Sequence, residues 1–246
     1  MWAAMIAALG GWAAAATAEE VSAETGVRIE LVTAEGPLFD DPRRRAAPVR
    51  SPEEVSAALE TLRRELLRYP PAVRDRIGVV RLSGRITLDG RFAVGASNCA
   101  GARVAVGHGR PAPKSQELVS MALHHEIAHL TLCDRERREG WLALAPTSAP
   151  RGTARTMWPT DDPALLSLGF VTPYGATDPR EDYAEYASTL LVHPVALAQR
   201  EAAYPAVAKK AAYVREAYRA LGVPLLPVVV DPPVPEAPAG DAPAGE

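Results

Sequence analysis

Residues 124–129 read His-His-Glu-Ile-Ala-His, a run that contains His-Glu-x-x-His. They lie inside ELVSMALHHEIAHLTL at 117–132, a stretch of helix formers with apolar residues on a helical period. On a helix, His125 and His129 stand one turn apart on one face. Two imidazoles so placed can hold one zinc ion, with nitrogens roughly 2.0–2.1 Å from the metal. Glu126 lies to the side of that stripe, where it can take a proton from metal-bound water. This limits the fold. The helix must be buried beside a cleft, and other elements must bring a third donor and a substrate surface. Ile127 and Ala128, apolar and small, suit such a helix. His124 points elsewhere, to the surface or to a place behind the ligands. The plainer alternative is a polar helix face with two satisfied histidines.

The chain has 246 residues, enough for one sizeable core or two modest lobes. A formal charge of −3 gives no argument for a nucleic-acid partner. Two cysteines, Cys99 and Cys133, exclude a disulfide-rich scaffold and a four-cysteine metal site. Residues 1–18 are apolar and uncharged, and Ala16-Thr17-Ala18 resembles a small-x-small cleavage site. A basic start is missing, so an apolar anchor or a buried first helix stays open. A cleaved export signal is the preferred expectation. With it comes an extracytoplasmic place, secreted or periplasmic, with no stable membrane insertion after cleavage.

Val27–Thr33 alternates as a strand does, and PLFDDPRRRAAPVRSP reads as a loop whose Arg43-Arg44-Arg45 triplet is solvated. Ser51-Pro52-Glu53-Glu54 starts a helix with a capping box. Val55, Leu59, Leu62, Leu66 and Leu67 form its buried stripe, and Pro70-Pro71 ends it. Between 77 and 107 the period becomes that of short strands, with turns at Ser83-Gly84 and Asp89-Gly90. They predict a small, mainly antiparallel sheet. Its strand at 102–107 is a candidate to pair with an extended peptide, since a sheet edge offers unpaired backbone groups. Residues 108–113 are loop. Residues 134–178 are irregular, and with Trp141, Trp158 and Phe170 they either wrap the cleft or form a small cluster of their own. Asp178-Pro179 opens a helix that breaks at Pro194. The alanine-rich run at 195–221 is helical, with Val207, Ala211, Val214, Tyr218 and Leu221 on its apolar face and a stop at Gly222. Residues 231–246 are low-complexity.

Two histidines need a further donor. Glu181 and Glu185 share a face of the helix at 179–193. One can bind metal while the other holds a ligand histidine by its free ring N–H. Glu181 could instead complete a capping box behind Asp178 and Pro179, so the residues alone leave the pair undecided.

His-Glu-x-x-His with a separate glutamate helix is similar to the glutamate-type zincins. YGATDPREDYAEYAS at 174–188 more narrowly resembles bacterial zinc-binding metallopeptidases related to the catalytic domain of anthrax lethal factor. The likeness spans about residues 52–192 and is weak outside them. It implies an α+β, zincin-like metallopeptidase domain: a small sheet on an active-site helix, followed by a helical C-terminal lobe. It also implies zinc held by His125, His129 and Glu181, with Glu185 outside the ligands, Glu126 as general base and Tyr174 as electrophilic helper. Without it, Tyr174 simply packs a loop. The interval of 52 residues from His129 to Glu181 exceeds what a minimal zincin needs.

Cys99 and Cys133 depart from the commoner look of that family. In an exported protein they can form a disulfide tying sheet to helix; otherwise they are two buried thiols. The expected organisation is an export signal at 1–18, an N-terminal extension at 19–50, the metallopeptidase domain at 51–222 and a Pro/Ala-rich disordered tail at 223–246. Residues 19–50 hold no cysteine, so a thiol that masks zinc from a latency peptide is excluded. The expected activity is zinc-dependent endopeptidase cleavage of a protein or peptide by a monomer. The alternative is a non-catalytic zinc-binding extracytoplasmic protein.

Overall fold

The computed structural model describes residues 16–49, 51–107, 115–145 and 156–228. Most of the expected export signal, the 108–113 loop, the centre of the 134–178 segment and the tail from residue 229 lie outside them. No helix among the described residues is long and apolar enough to cross a membrane.

A first sheet has the order β1 (Ile29–Leu31), β4 (Val79–Ser83), β8 (Arg103–Gly107), β7 (Gly95–Asn98). Its first three strands run parallel and β7 runs antiparallel to β8. A second sheet, β2 (Gly36–Leu38), β3 (Asp41–Ala47), β5 (Arg85–Leu88), β6 (Arg91–Ala93), is antiparallel throughout. Antiparallel pairing thus predominates over both sheets together, while the sheet against the motif helix is mixed. Period-2 alternation in β8 explains the layers. Val104 and Val106 enter the main core with the helices, and Ala105 faces the other way into a small core with Leu38, Ala46, Ile86 and Ala96.

Helices cover the first face. α1 (Ala18–Thr25) starts on a capping box between Thr17 and Glu20. α2 (Pro52–Leu66) starts at Ser51, whose side chain accepts from Glu54 N, and buries Leu59, Leu62 and Leu66. Leu67, expected in that stripe, is exposed because it lies past the last helical residue. A short turn, α3 (Pro71–Arg74), follows. α4 (Ser115–Thr131) carries the motif, and α7 (Pro179–Val192) packs along it. α5 (Arg135–Leu142), α6 (Pro163–Ser167), α8 (Pro194–Ala203) and α9 (Pro205–Ala220) complete the C-terminal lobe. The 134–178 segment is therefore less irregular than expected. Asp134 caps α5, and buried Trp141 ties it to α7 by donating from Nε1 to Pro179 O at 2.6 Å.

The 19–50 segment is woven into both sheets rather than appended to them: β1 pairs with β4, and β3 pairs with β5. The expected loop with its solvated arginine turn is the β2–β3 hairpin. Its turn residues Phe39 and Asp40 both take positive φ, as a two-residue type I′ hairpin requires. A second link is covalent. Cys99, in the β7–β8 turn, is bonded to Cys133 just after α4, with Cα atoms 6.0 Å apart. A closed loop of this span contributes about 3–4 kcal/mol in the chain-entropy view.

Candidate metal centre

α4 is almost wholly buried from Val119 to Ala128, so its polar residues must find partners inside the protein. His125 and His129 turn their Nε2 atoms to one point, 3.1 Å apart. Glu181 reaches that point from the first turn of α7. Its Oε2 lies 3.0 Å from His125 Nε2 and 3.3 Å from His129 Nε2. The capping alternative for Glu181 is absent: Asp178 caps α7 through its own side chain, accepting from Arg180 N. Three ligand atoms within 4.8 Å of one another form a site of the size one metal ion needs.

Glu185, one turn further along α7 and fully buried, places Oε1 2.7 Å from His125 Nδ1. The histidine held from behind is therefore His125. Its Nδ1 faces that carboxylate at ion-pair distance, without the angle of a hydrogen bond, while Nε2 faces the centre. Electrostatics favour a cation here. Burial alone would lower the His125 pKa, but Glu181 and Glu185 raise it well above the ordinary value. Burial pushes Glu185 up, whereas for Glu181 the two histidines outweigh burial and hold the carboxyl low. Two neutral imidazoles and a carboxylate form a donor set that zinc accepts.

Glu126, also buried, lies against β7. A Cβ on Gly95 would stand 2.5 Å from Glu126 Oε1 and 2.7 Å from its Cγ. The carboxylate thus occupies the volume a side chain at 95 would need. Gly95→Ala should push the Glu126 carboxylate off β7 without touching the trio of His125, His129 and Glu181. A structure of the variant would show it, and an unmoved carboxylate beside the added methyl would mean that Glu126 has room to spare.

Tyr174 sits at the entry to the 3-10 turn Gly175–Thr177, with its ring centroid 5.8 Å from that of His125. Burial, then the carboxylates of Glu181 and Glu126, push its hydroxyl pKa up, so it remains a protonated donor. Its backbone is fixed by Tyr174 N donating to Thr156 O and by Thr177 donating twice to Tyr174 O. Behind this loop a buried ion pair joins α7 to α9. Lys210 Nζ donates to Asp182 Oδ2 at 2.6 Å and to Gly169 O at 2.8 Å.

His124 is not on the surface, and its ring partners are residues other than His125, His129 and Glu181. It is fully buried, with Nδ1 2.7 Å from Tyr69 Oη and Nε2 3.0 Å from Glu65 Oε2, and so pins α4 to the end of α2. The expectation that residues 102–107 form the peptide-pairing edge is also corrected. β8 is paired on both sides, and the edge beside the site is β7. Gly107 N donates to Val94 O, which sets the antiparallel alternation. Ala96 and Asn98 turn their amide groups to β8, while Gly95 and Ser97 turn theirs outward. Among the described residues, one bond reaches that outer edge, from Arg44 Nη1 to Ser97 O at 2.8 Å. Sequence reasoning missed Gly95 and Arg44, since neither lies near the motifs in the chain.

No family model and no curated protein matches the chain. Among solved structures, the fold is similar to that of a protein described as a "putative zinc-binding metallo-peptidase" from Bacteroides caccae. The TM-score is 0.51 and the identity 16%, over 84% of each chain. At that identity the likeness is one of fold: a metallopeptidase-like α/β architecture in which helices α4 and α7 present a possible metal site.

Proposed function

We propose that this chain is a zinc-dependent endopeptidase. The observation that carries the reading is the position of Glu126. It lies beside the His125–His129–Glu181 trio and against a sheet edge whose Gly95 backbone faces outward. A structural zinc site has no use for an acidic group poised between the donors and an open strand edge. When bound, zinc supplies Lewis-acid polarisation of the scissile carbonyl and acidifies the attacking water. The chain's own residues do the rest. An extended peptide adds to β7 at Gly95 through backbone hydrogen bonds. Glu126 accepts the proton of the attacking water and passes it to the leaving amine nitrogen. Tyr174 donates to the developing oxyanion. Glu185 keeps His125 in the tautomer and orientation that turn Nε2 inward. The metallopeptidase-like neighbour supports the class of reaction, at the level of fold.

An extracytoplasmic place is part of the proposal. Its support is the Cys99–Cys133 disulfide between two exposed positions, a bond that persists where thiols are not kept reduced.

Tyr174→Phe tests the oxyanion role. The ring and its tilted contact with His125 are retained and only the hydroxyl is lost. Turnover should fall by about 2–4 kcal/mol of transition-state stabilisation, with zinc stoichiometry unchanged. A Phe variant as fast as the parent would return Tyr174 to a packing role.

A further inference from the structure

Arg44 closes one end of the β7 edge. Its Nη1 donates to Ser97 O at 2.8 Å and its Nε lies 3.3 Å from Asp41 Oδ2. A peptide laid along β7 meets free backbone at Gly95 and a guanidinium at Ser97. Two strand residues span about 6.6 Å, so the guanidinium stands about two residues from the bond facing Glu126. A guanidinium has five N–H donors. Ser97 O takes one and Asp41 faces another. Among the described residues no acceptor meets Nη2, and the side chain is 36% exposed. Asp41 is shared with Arg43, so two arginines face one aspartate there. Arg103, opposite Asn98 on β8, is already engaged by Asp40 and Phe39 O.

Resting on the peptidase reading, we propose that Arg44 is a specificity-determining residue that receives a substrate carboxylate about two residues from the scissile bond. A planar carboxylate fits the open fork of a guanidinium, which a neutral amide cannot match in charge. An Asp or Glu side chain and a free peptide C-terminus share this chemistry.

The test uses zinc-loaded Glu126→Gln protein, which should bind peptide without turning it over. Fluorescence anisotropy compares labelled peptides drawn from sequences the wild-type protein cleaves. Glu and Gln twins are placed two and three residues to either side of the cleaved bond, and each peptide is made with a free and an amidated C-terminus. One carboxylate should tighten binding by about tenfold or more over its amide twin. Added Arg44→Gln should erase that difference, and Arg44→Lys should restore part of it, with thermal unfolding unchanged in both. Discrimination at an internal position marks an acidic side chain as the ligand, and discrimination lost on amidation marks the C-terminus. Equal affinity of the twins, or a difference that survives Arg44→Gln, overturns the role of Arg44 and leaves the peptidase reading standing. No cleavage by the wild-type protein overturns the reading itself and the inference with it.

Discussion

Glu126→Gln should leave one zinc per chain and lower kcat/KM by about 10²–10⁴-fold, the range a positioned general base contributes. Glutamine has the same shape, so it keeps the close fit against Gly95 and disturbs neither histidine. It removes only the basic oxygen pair. The two helices should stay packed, since the contacts of His125 with Glu181 and Glu185 do not involve position 126. Peptide cleavage and metal content measured on the same preparation separate the outcomes. Full turnover in the variant would remove Glu126 from the mechanism, and loss of zinc would make its role structural.

Glu181→Ala should remove zinc binding much more sharply than any change at Glu185. Glu181 Oε2 stands at 3.0 and 3.3 Å from the two Nε2 atoms, whereas Glu185 touches the far side of His125, at Nδ1. An outer partner of a ligand histidine typically contributes 10–100-fold in affinity or activity, and Glu185→Ala should fall in that range. Glu185 is fully buried, so Glu185→Gln is the better probe: its amide keeps an oxygen to face Nδ1, only the charge is lost, and no cavity opens. Zinc titration of the three variants, with helicity checked by circular dichroism, decides. Wild-type affinity in Glu181→Ala together with loss in Glu185→Ala would reverse the two assignments.

What could be read in the chain follows from the range of the physics involved. His125 and His129 are four apart on a good helix former, so their shared face was legible. Asp89-Gly90 was legible as a turn because those residues accept positive φ, and both take it. Phe39-Asp40 adopts positive φ with a phenylalanine at the first position and no glycine, so β2 and β3 read as loop. β3 also buries little beyond Ala46, which leaves no alternation to detect. The alternation of β8 was plain, but alternation does not give sheet order, and the edge role moved from β8 to β7. His124 could be placed away from the ligand face by its helical phase. Its partners Glu65 and Tyr69 lie more than fifty residues away, beyond any local signal. Lys210 is similar. It sits on the same helical face as Val207, Ala211 and Val214, and it is buried there because Asp182 and the Gly169 carbonyl, both distant in the chain, meet it. Glu181 and Glu185 shared a face, and only the packing of α7 along α4 separates the one before the histidines from the one behind.

Cleavage of a complex peptide mixture decides whether the chain is a zinc peptidase. It would be followed by mass spectrometry with the zinc-loaded protein, the chelated protein and the chelated protein after zinc is restored. Internal cleavage is expected with zinc, none after chelation, and recovery on restoring zinc. One tightly bound zinc per chain with no cleavage of any peptide would contradict the peptidase reading and make the chain a zinc-binding protein without peptidase activity.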